Sequence, residues 1–155
     1  MELTSTSITP YTAIHLKYCK QAAGGHNVSP ALSWSGAPAE TRSFAVTIFD
    51  PDAPGSGFWH WIAYDIPADV TELVEGGPLP EGTKEAENDY GIRGYGGACP
   101  PPGPAHRYVH TVYALGVERL DVSPDDPHAS VRSELMANVL DQASITATFQ
   151  NKKSR

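Results

Sequence analysis

Glycine and proline recur throughout this sequence. Each occurs 14 times in 155 residues. Proline removes a backbone donor and glycine admits left-handed backbone conformations, so both interrupt long regular elements. Short elements joined by many turns are typical of a strand-rich chain rather than of a helix bundle. Because 40% of the residues are hydrophobic and 19% are charged, we predict a packed, mainly β fold that forms a single domain over residues 1–155.

The charge of the chain argues against one class of partner. The net charge is -7 with neutral histidines, and an acidic surface repels a phosphate backbone, so no nucleic-acid partner is expected. The basic residues Lys152, Lys153 and Arg155 are interpreted as a solvated tail. No segment reaches the roughly 18 apolar residues of a membrane span, and the N-terminus lacks the regions of a signal peptide. The sequence predicts no transmembrane segment and a cytoplasmic location, where Cys19 and Cys99 are free thiols.

Three segments have the pattern of long strands. Residues 43–49 carry apolar side chains on both alternating faces, which is typical of a central strand covered on both sides. Residues 58–66 follow after a loop rich in proline and glycine, and the two segments are predicted to pair antiparallel. Residues 106–115 form the third segment. Weaker strand patterns are found at residues 3–6, 15–18 and 31–35.

One helix is predicted late in the chain. Asp126 is placed at its N-cap and Pro127 at its first helical position. An apolar stripe at helical spacing follows, formed by Val131, Leu135 and Val139 and less regularly by Met136 and Leu140. We expect the helix to end near Ala143 and a closing strand to occupy residues 144–149.

Two candidate functional residues flank the first proline-rich loop. Asp50 follows the buried strand 43–49, and the next proline holds it in an extended conformation. If the two strands pair around the loop, His60 comes close to Asp50, whose carboxylate orients the ring and favours its charged form. The alternatives are that Asp50 bonds its own backbone, as Asp52 is expected to do, and that His60 is structural.

The third strand begins with a second pair. Alternation places His106, Tyr108 and His110 on one face, so that His106 and Tyr108 are able to contact the same ligand. These residues follow a long segment, 76–103, rich in glycine and proline, which we interpret as a functional surface loop. Consecutive backbone N–H groups near its end are able to bind an anion. The alternative is a rigid turn beside structural aromatic residues.

Several motifs occur together and in a characteristic order. They are Asp50-Pro51-Asp52-Ala53-Pro54, Trp59-His60-Trp61, Gly94-Tyr95-Gly96-Gly97, Pro100-Pro101 and His106-Arg107-Tyr108, with Asn27-Val28-Ser29-Pro30, Leu32, Trp34 and Ala143-Ser144-Ile145-Thr146. In this order they resemble the phosphatidylethanolamine-binding protein (PEBP) family, and its bacterial, Raf-kinase-inhibitor-like branch is the closer match. The resemblance covers nearly the whole chain.

This resemblance implies a fold and a binding site. The fold is a large antiparallel β core with a second small sheet and one or two short helices. The site is a pocket for phosphate-like groups, including phosphoethanolamine. Carried over by motif, its ligand-binding residues are Asp50, His60, Gly97, Ala98, Cys99, Pro100, His106 and Tyr108. Arg107 is implied to be a structural or rim residue.

From both lines of reasoning we predict a binding protein without catalytic activity, cofactor or metal. The anion accepts hydrogen bonds from His106, Tyr108 and the loop amides. Asp50 orients and charges His60, or contacts an ammonium group of the ligand. The resemblance also implies a kinase or protease partner and a homodimer. Trp59 or Trp61, if exposed, or the glycine- and proline-rich loop would form the surface for such a partner.

Two other interpretations remain open from the sequence. In a hydrolase, Cys99 or a water activated by His60 and Asp50 attacks a substrate, although no nucleophile elbow is present. In a metal site, His60, His106, His110 and Asp50 have suitable ligand atoms. His106 and His110, however, lie about 13 Å apart along an extended strand, which disfavours their binding one ion.

Overall fold

Two antiparallel sheets and one α-helix build the protein in a computed structural model that describes residues 1–152, so that Lys153 and Arg155 of the predicted tail lie outside the described residues. Two single-turn 3₁₀ helices, Leu16–Tyr18 and Gln21–Ala23, precede the main sheet. The elements are β1 (Glu2–Thr4), β2 (Leu32–Ser35), β3 (Ser43–Asp50), β4 (Phe58–Pro67), β5 (Glu72–Leu73), β6 (Lys84–Glu85), β7 (His106–Leu115), α1 (His128–Ala137) and β8 (Val139–Phe149).

The strands form one large and one small sheet. The order is β6-β4-β3-β7-β8 in the five-stranded sheet and β1-β2-β5 in the three-stranded sheet. The neighbouring pairs are antiparallel. The predicted fold class, a mainly β chain with a second small sheet and one short α-helix, is therefore confirmed.

The central strand β3 is covered on both faces, as its apolar pattern predicted. Phe44 and Val46 pack in a cluster with Trp34 of the small sheet. Ala45 lies in a second cluster on the opposite face, where α1 contributes Val131 and other apolar side chains. Burial on both faces explains why this strand has no polar alternation. The end of β3 is therefore held between β4 and β7.

Two predictions near the N-terminus need correction. Residues 15–18 do not form a strand, because Leu16–Tyr18 is a 3₁₀ turn in which His15 Nδ1 accepts a hydrogen bond from the Lys17 amide at 3.1 Å. The predicted strand 3–6 ends at Thr4. Ser5 Oγ accepts hydrogen bonds from the amides of Ser7 and Ile8 at 2.9 and 3.1 Å, which turns the chain away from the sheet.

The helix is shorter than predicted and begins one residue later. Pro127 occupies the N-cap with a ψ of 140°, and the helix runs from His128 to Ala137. Val139 already belongs to β8, where it opposes Leu115 of β7. Ten residues of β7 require a partner strand of similar length, so the ladder ends the helix although the apolar spacing continues through Val139. None of the helices formed by residues 1–152 has the length and apolar character needed to cross a bilayer.

Candidate functional site

The ends of three adjacent strands define the candidate site. Asp50, the last residue of β3, opposes Phe58 at the start of β4, and the preceding Phe49 opposes Val109 of β7. The predicted antiparallel pairing of the first two strands is therefore confirmed. Because β3 lies between β4 and β7, its terminal carboxylate is flanked from both sides by histidine-bearing strand ends.

A cavity of about 170 Å³ opens beside these strand ends. It is lined by Asp50, Ala53, Pro54, Phe58, His60, Tyr90, Cys99, Pro100, Pro101, His106 and Tyr108. Six of the predicted ligand-binding residues are thus brought together, whereas Gly97 and Ala98 do not line the cavity. The sequence reasoning did not single out Phe58 or Tyr90. Tyr90 lies far from the strand ends along the chain, and no local pattern marked it.

The carboxylate of Asp50 is paired with His106 and not with His60. His106 Nδ1 lies 2.6 Å from Asp50 Oδ2, and both side chains are largely buried. The second oxygen, Oδ1, accepts a hydrogen bond from the Asp52 amide at 2.8 Å. Asp50 is therefore both a turn residue and the partner of a histidine, which the sequence reasoning had treated as alternatives. The bond to the carboxylate fixes the ring of His106 and leaves Nε2 as the atom able to contact a ligand.

His60 is held by the backbone instead. Its Nδ1 lies 2.7 Å from the carbonyl oxygen of Gly96 and donates to it. Burial lowers the pKa of His60 below its ordinary value, while the Gly96 carbonyl and the charge of Asp50 offset only part of this effect. The prediction that Asp50 orients and charges His60 is wrong. The ring is neutral near pH 7, and its Nε2 carries a lone pair that accepts hydrogen bonds.

Two tyrosines face His60 from different elements. The rings of Tyr90 and Tyr108 lie edge-on to it at centroid distances of 5.4 and 5.2 Å. Burial and the charge of Asp50 raise the pKa of both hydroxyl groups, so that both stay protonated. Tyr90 donates its proton to the carbonyl oxygen of Gly97 at 2.7 Å. No hydrogen bond joins the Tyr108 hydroxyl to another residue in the described part of the chain, and Tyr108 lines the cavity.

The sequence profile described as "Phosphatidylethanolamine-binding protein" matches residues 4–150. The chain belongs to the phosphatidylethanolamine-binding protein family. It is 46% identical over 131 residues to the UPF0098 protein YbhB of Escherichia coli, which covers 81% of this chain and 83% of YbhB.

Solved structures of PEBP-family proteins agree with the fold. The crystal structure of E. coli YbcL, described as a new member of the mammalian PEBP family, superposes with a TM-score of 0.91 and 41% identity over 96% of this chain and 97% of that chain. A putative PEBP homologue, CT736 of Chlamydia trachomatis, gives a TM-score of 0.85 and 29% identity, with 96% of each chain covered. The large antiparallel sheet that carries Asp50, His60 and His106 is thus a PEBP sheet.

In this PEBP chain only part of the segment 76–103 is the surface loop that we expected, since residues 81–82, 91–93 and 101–103 are exposed. Residues 94–100 are buried apart from partial exposure of Tyr95 and Cys99. The amide of Gly97 donates to Asn27 Oδ1 at 2.7 Å, so it is not free to bind an anion as predicted. A Cβ at Gly97 would lie 2.2 Å from the carbonyl oxygen of Tyr18, which explains why only glycine fits. The amide of Gly96 is also occupied, because it donates to the carbonyl of His60 at 3.0 Å.

The rim is held by an ion pair that we did not predict. Arg107 donates to Asp52 from its amide, its Nε and its Nη2, at 2.8, 3.0 and 2.8 Å. The Arg107 hydrogen bonds hold the pKa of Asp52 well below its usual range, at about 2. Asp52 therefore does not bond its own backbone but ties the loop after β3 to the start of β7. The implied rim position of Arg107 agrees with this geometry.

The remaining candidates lie elsewhere. His110 does not line the cavity, and its Nδ1 donates to the carbonyl of Tyr108 at 3.0 Å. Among residues 1–152, no group of three or more histidines, cysteines and carboxylates is arranged to hold a metal ion. Trp61 is buried and donates to Glu85 at 2.7 Å, and Trp59 is half-buried and stacks on Phe49. The prediction that Trp61 forms an exposed partner surface is wrong.

Proposed function

We propose that the cavity binds a small oxyanion, either phosphate or the phosphate group of a larger ligand such as phosphoethanolamine, and does not turn it over. The observation that carries the proposal is the Asp50–His106 pair inside a cavity also lined by Tyr108. Asp50 fixes the ring of His106 through Nδ1, and we place a charge-assisted hydrogen bond from the Nε2–H of His106 to the anion. The protonated Tyr108 hydroxyl supplies a second donor.

The histidine partner also resolves an apparent conflict of charge. An ionised Asp50 repels an anion, but in the proposed complex a cationic His106 ring, whose Nδ1 lies 2.6 Å from the carboxylate, offsets this repulsion. The pair as a whole is then neutral and presents an N–H to the cavity.

The first test replaces His106 by alanine. We expect phosphate affinity, measured by calorimetric titration near neutral pH, to fall roughly tenfold to a hundredfold, because one charge-assisted hydrogen bond is lost. The control is Arg42→Ala, which removes a basic side chain that does not line the cavity and pairs with Glu118 at 3.9 Å. We expect that control to change affinity less than about threefold. Equal affinity of His106→Ala and the unchanged protein excludes the proposal.

His60 predicts a preference between two anions of similar shape. Its neutral Nε2 accepts a hydrogen bond, which hydrogen phosphate is able to donate and sulfate is not. We expect phosphate to bind about tenfold more tightly than sulfate, since sulfate leaves this buried acceptor unpaired. Parallel titrations at matched ionic strength measure the ratio. A His60→Phe variant, which keeps the ring volume but has no acceptor, is expected to bring the ratio close to one, and a persistent preference excludes this role of His60.

Binding without turnover is tested separately. Incubation of the protein with a chromogenic phosphate ester is expected to release no product above the rate of the buffer. Sustained release that Cys99→Ser abolishes would replace the binding proposal with the hydrolase interpretation, because Cys99 lines the same cavity.

We extend the proposal to a protein partner whose contact depends on the ligand. Pro54 and Pro101 are exposed and also line the cavity, so a partner docked on this mouth would contact the bound ligand. A kinase or protease as the partner, a homodimer and a cytoplasmic location stay predictions from the sequence.

A further inference from the structure

One of the two thiols of the chain lines the cavity, and the proposed binding of an anion uses neither sulfur. Cys99 is half-buried and lines the cavity, whereas Cys19 is 0% exposed and belongs to the main apolar cluster, against which Cys99 packs. Both cysteines are free thiols. We propose that they form a redox pair: a peroxide that enters the cavity oxidises Cys99, and Cys19 then closes a disulfide with it.

The backbone brings the two cysteines together. The amide of Lys20 donates to the carbonyl of Ala98 at 3.1 Å. Lys20 directly follows Cys19, and Ala98 directly precedes Cys99. Each cysteine Cα therefore belongs to one of two hydrogen-bonded peptide groups. Standard peptide dimensions place these Cα atoms at most about 8 Å apart. Disulfides span Cα distances of roughly 4.4–6.8 Å. The upper bound of about 8 Å lies only about 1 Å above that range, so closing the bond requires at most a small shift of the backbone.

Further bonds hold the two segments in this arrangement. Asn27 accepts from the amide of Gly97 at 2.7 Å and donates its own backbone amide to the carbonyl of Cys19 at 2.8 Å. The hydroxyl of Tyr95 donates to the carbonyl of Tyr18 at 2.7 Å. These hydrogen bonds hold the segment that contains Cys19 against the segment that contains Cys99. The two cysteines are therefore neighbours in a fixed part of the structure.

The different exposure of the thiols orders the two steps. Only Cys99 is reached by a solute in the cavity, so it reacts first with the oxidant. Burial, with a smaller contribution from the nearby Cys99, raises the pKa of Cys19 to about 12, so that Cys19 is inert toward external reagents. Cys19 is nevertheless able to attack the oxidised sulfur of Cys99, because the two residues are neighbours. Its low thiolate fraction lowers its rate of attack on another sulfur about a thousandfold relative to an ordinary thiol. A thiol held next to its target, however, has an effective concentration that exceeds that of a millimolar external thiol by at least the same factor.

The chemistry balances with one peroxide molecule. The Cys99 thiol gives up its proton, and the thiolate attacks one oxygen of hydrogen peroxide. The O–O bond breaks, Cys99 becomes a sulfenic acid, and the leaving hydroxide takes up the released proton to form water. The Cys19 sulfur then attacks the Cys99 sulfur, the S–O bond breaks, and the hydroxide leaves as a second water after taking up the Cys19 proton. Two thiols are oxidised by two electrons in total and one peroxide is reduced to two waters.

Oxidation of the redox pair is also expected to change anion binding, and this expectation rests on the proposed anion site. A disulfide draws the Cys99 side chain toward Cys19 and away from the wall, and it adds a covalent tie next to Pro100, which also lines the cavity. We expect phosphate affinity to change at least threefold between the reduced and oxidised proteins. Phosphate binding by the reduced protein is measured first, so that a failure of the anion site is seen there and not attributed to the thiols.

The test exposes the reduced, full-length protein to hydrogen peroxide under native conditions and then alkylates the remaining thiols. We expect both thiols to disappear together, the mass to fall by two hydrogens, and a non-reducing peptide map to contain a peptide pair linked through Cys19 and Cys99. Dithiothreitol is expected to restore both thiols. Accumulation of Cys99 sulfinic acid while Cys19 stays alkylatable after denaturation overturns the proposal, as does a disulfide between two chains.

Two single variants test the order of reaction. In Cys99→Ser, Cys19 is expected to stay reduced under the same exposure, because no other thiol is reached from the cavity. In Cys19→Ala, Cys99 is expected to be trapped as sulfenic acid by dimedone, since the second sulfur is missing. Oxidation of Cys19 at the normal rate in Cys99→Ser overturns the order. The linked peptide of the unchanged protein decides the pairing even if the buried Cys19→Ala variant folds poorly.

Discussion

Replacement of Asn88 by alanine is expected to lower the free energy of unfolding by about 3–5 kcal/mol. Asn88 is 3% exposed, and its amide nitrogen donates to the carbonyls of His60 and Gly94 at 3.2 and 2.9 Å. Its side-chain oxygen accepts from the amides of Tyr90 and Ile92 at 2.9 and 3.3 Å. Truncation at Cβ removes these four hydrogen bonds. The carbonyl of His60 keeps the amide of Gly96 at 3.0 Å, whereas the other three groups lose a partner, and each of them that stays buried costs about 1–3 kcal/mol before relaxation.

Urea denaturation followed by tryptophan fluorescence measures this loss. The matched control is Asn138→Ala at the end of α1, where the side chain donates to the carbonyl of Glu134 at 2.9 Å in a half-buried position. We expect the control to lose about 1 kcal/mol or less. A smaller loss in Asn88→Ala than in Asn138→Ala contradicts the assigned role of Asn88.

Asn88 also connects stability to the cavity. It holds the turn that presents Tyr90 to His60, and Tyr90 is part of the cavity wall. We therefore expect Asn88→Ala to lose phosphate affinity even under conditions in which the variant is still folded.

Acidification from pH 7 to pH 4 is expected to destabilise the protein by up to about 3 kcal/mol through His110. His110 is 2% exposed between β3 and β8, and burial lowers its pKa from 6.5 to about 4. Between these two values the unfolded chain binds a proton that the folded chain does not. Stability contributed by the neutral ring is therefore complete above about pH 6.5 and is lost as the pH falls toward 4. His60, whose pKa is also lowered by burial, adds to the loss in the same direction.

The His110→Asn variant separates this effect from other titrations. Asparagine keeps a donor for the carbonyl of Tyr108 but does not titrate, so we expect the free energy of unfolding to depend less on pH between 6.5 and 4. His26→Asn is the control, because His26 is exposed and its replacement removes the same titrating group. Asp52 and Glu75, whose pKa values are lowered to about 2 by hydrogen bonds from Arg107 and Lys17 respectively, act only at lower pH. An unchanged pH profile in His110→Asn contradicts this assignment.

The long strands could be predicted because their signal is local. Residues 43–49 and 108–115 lie in strands that are buried on both faces, and this burial favours apolar residues at most positions rather than at alternate ones. Pro51 and Pro67 mark the strand ends, since a proline cannot donate to the ladder. Asp50 and His60 could be identified as neighbours of one loop on these grounds alone.

The partners of these residues depend on contacts between distant parts of the chain. The sequence placed Asp50 beside His60, but β3 also pairs with β7, and the carboxylate bonds the histidine from that strand. Tyr90 reaches the cavity from a segment held by buried side-chain bonds, which leave no periodic pattern. Val139 continues a helical stripe, yet it lies in a strand because β7 needs a partner along its whole length.

The amino-acid sequence by itself determined the mainly β class, the three long strands and most of the residues that line the cavity. The tertiary structure decided which carboxylate meets which histidine, which histidine stays neutral, and which glycines are buried behind the cavity. The physical reason is the distance along the chain over which each interaction acts. Periodicity and turn chemistry act over a few neighbouring residues, whereas hydrogen-bond partners and desolvation are set by segments that are distant along the chain and adjacent only after folding.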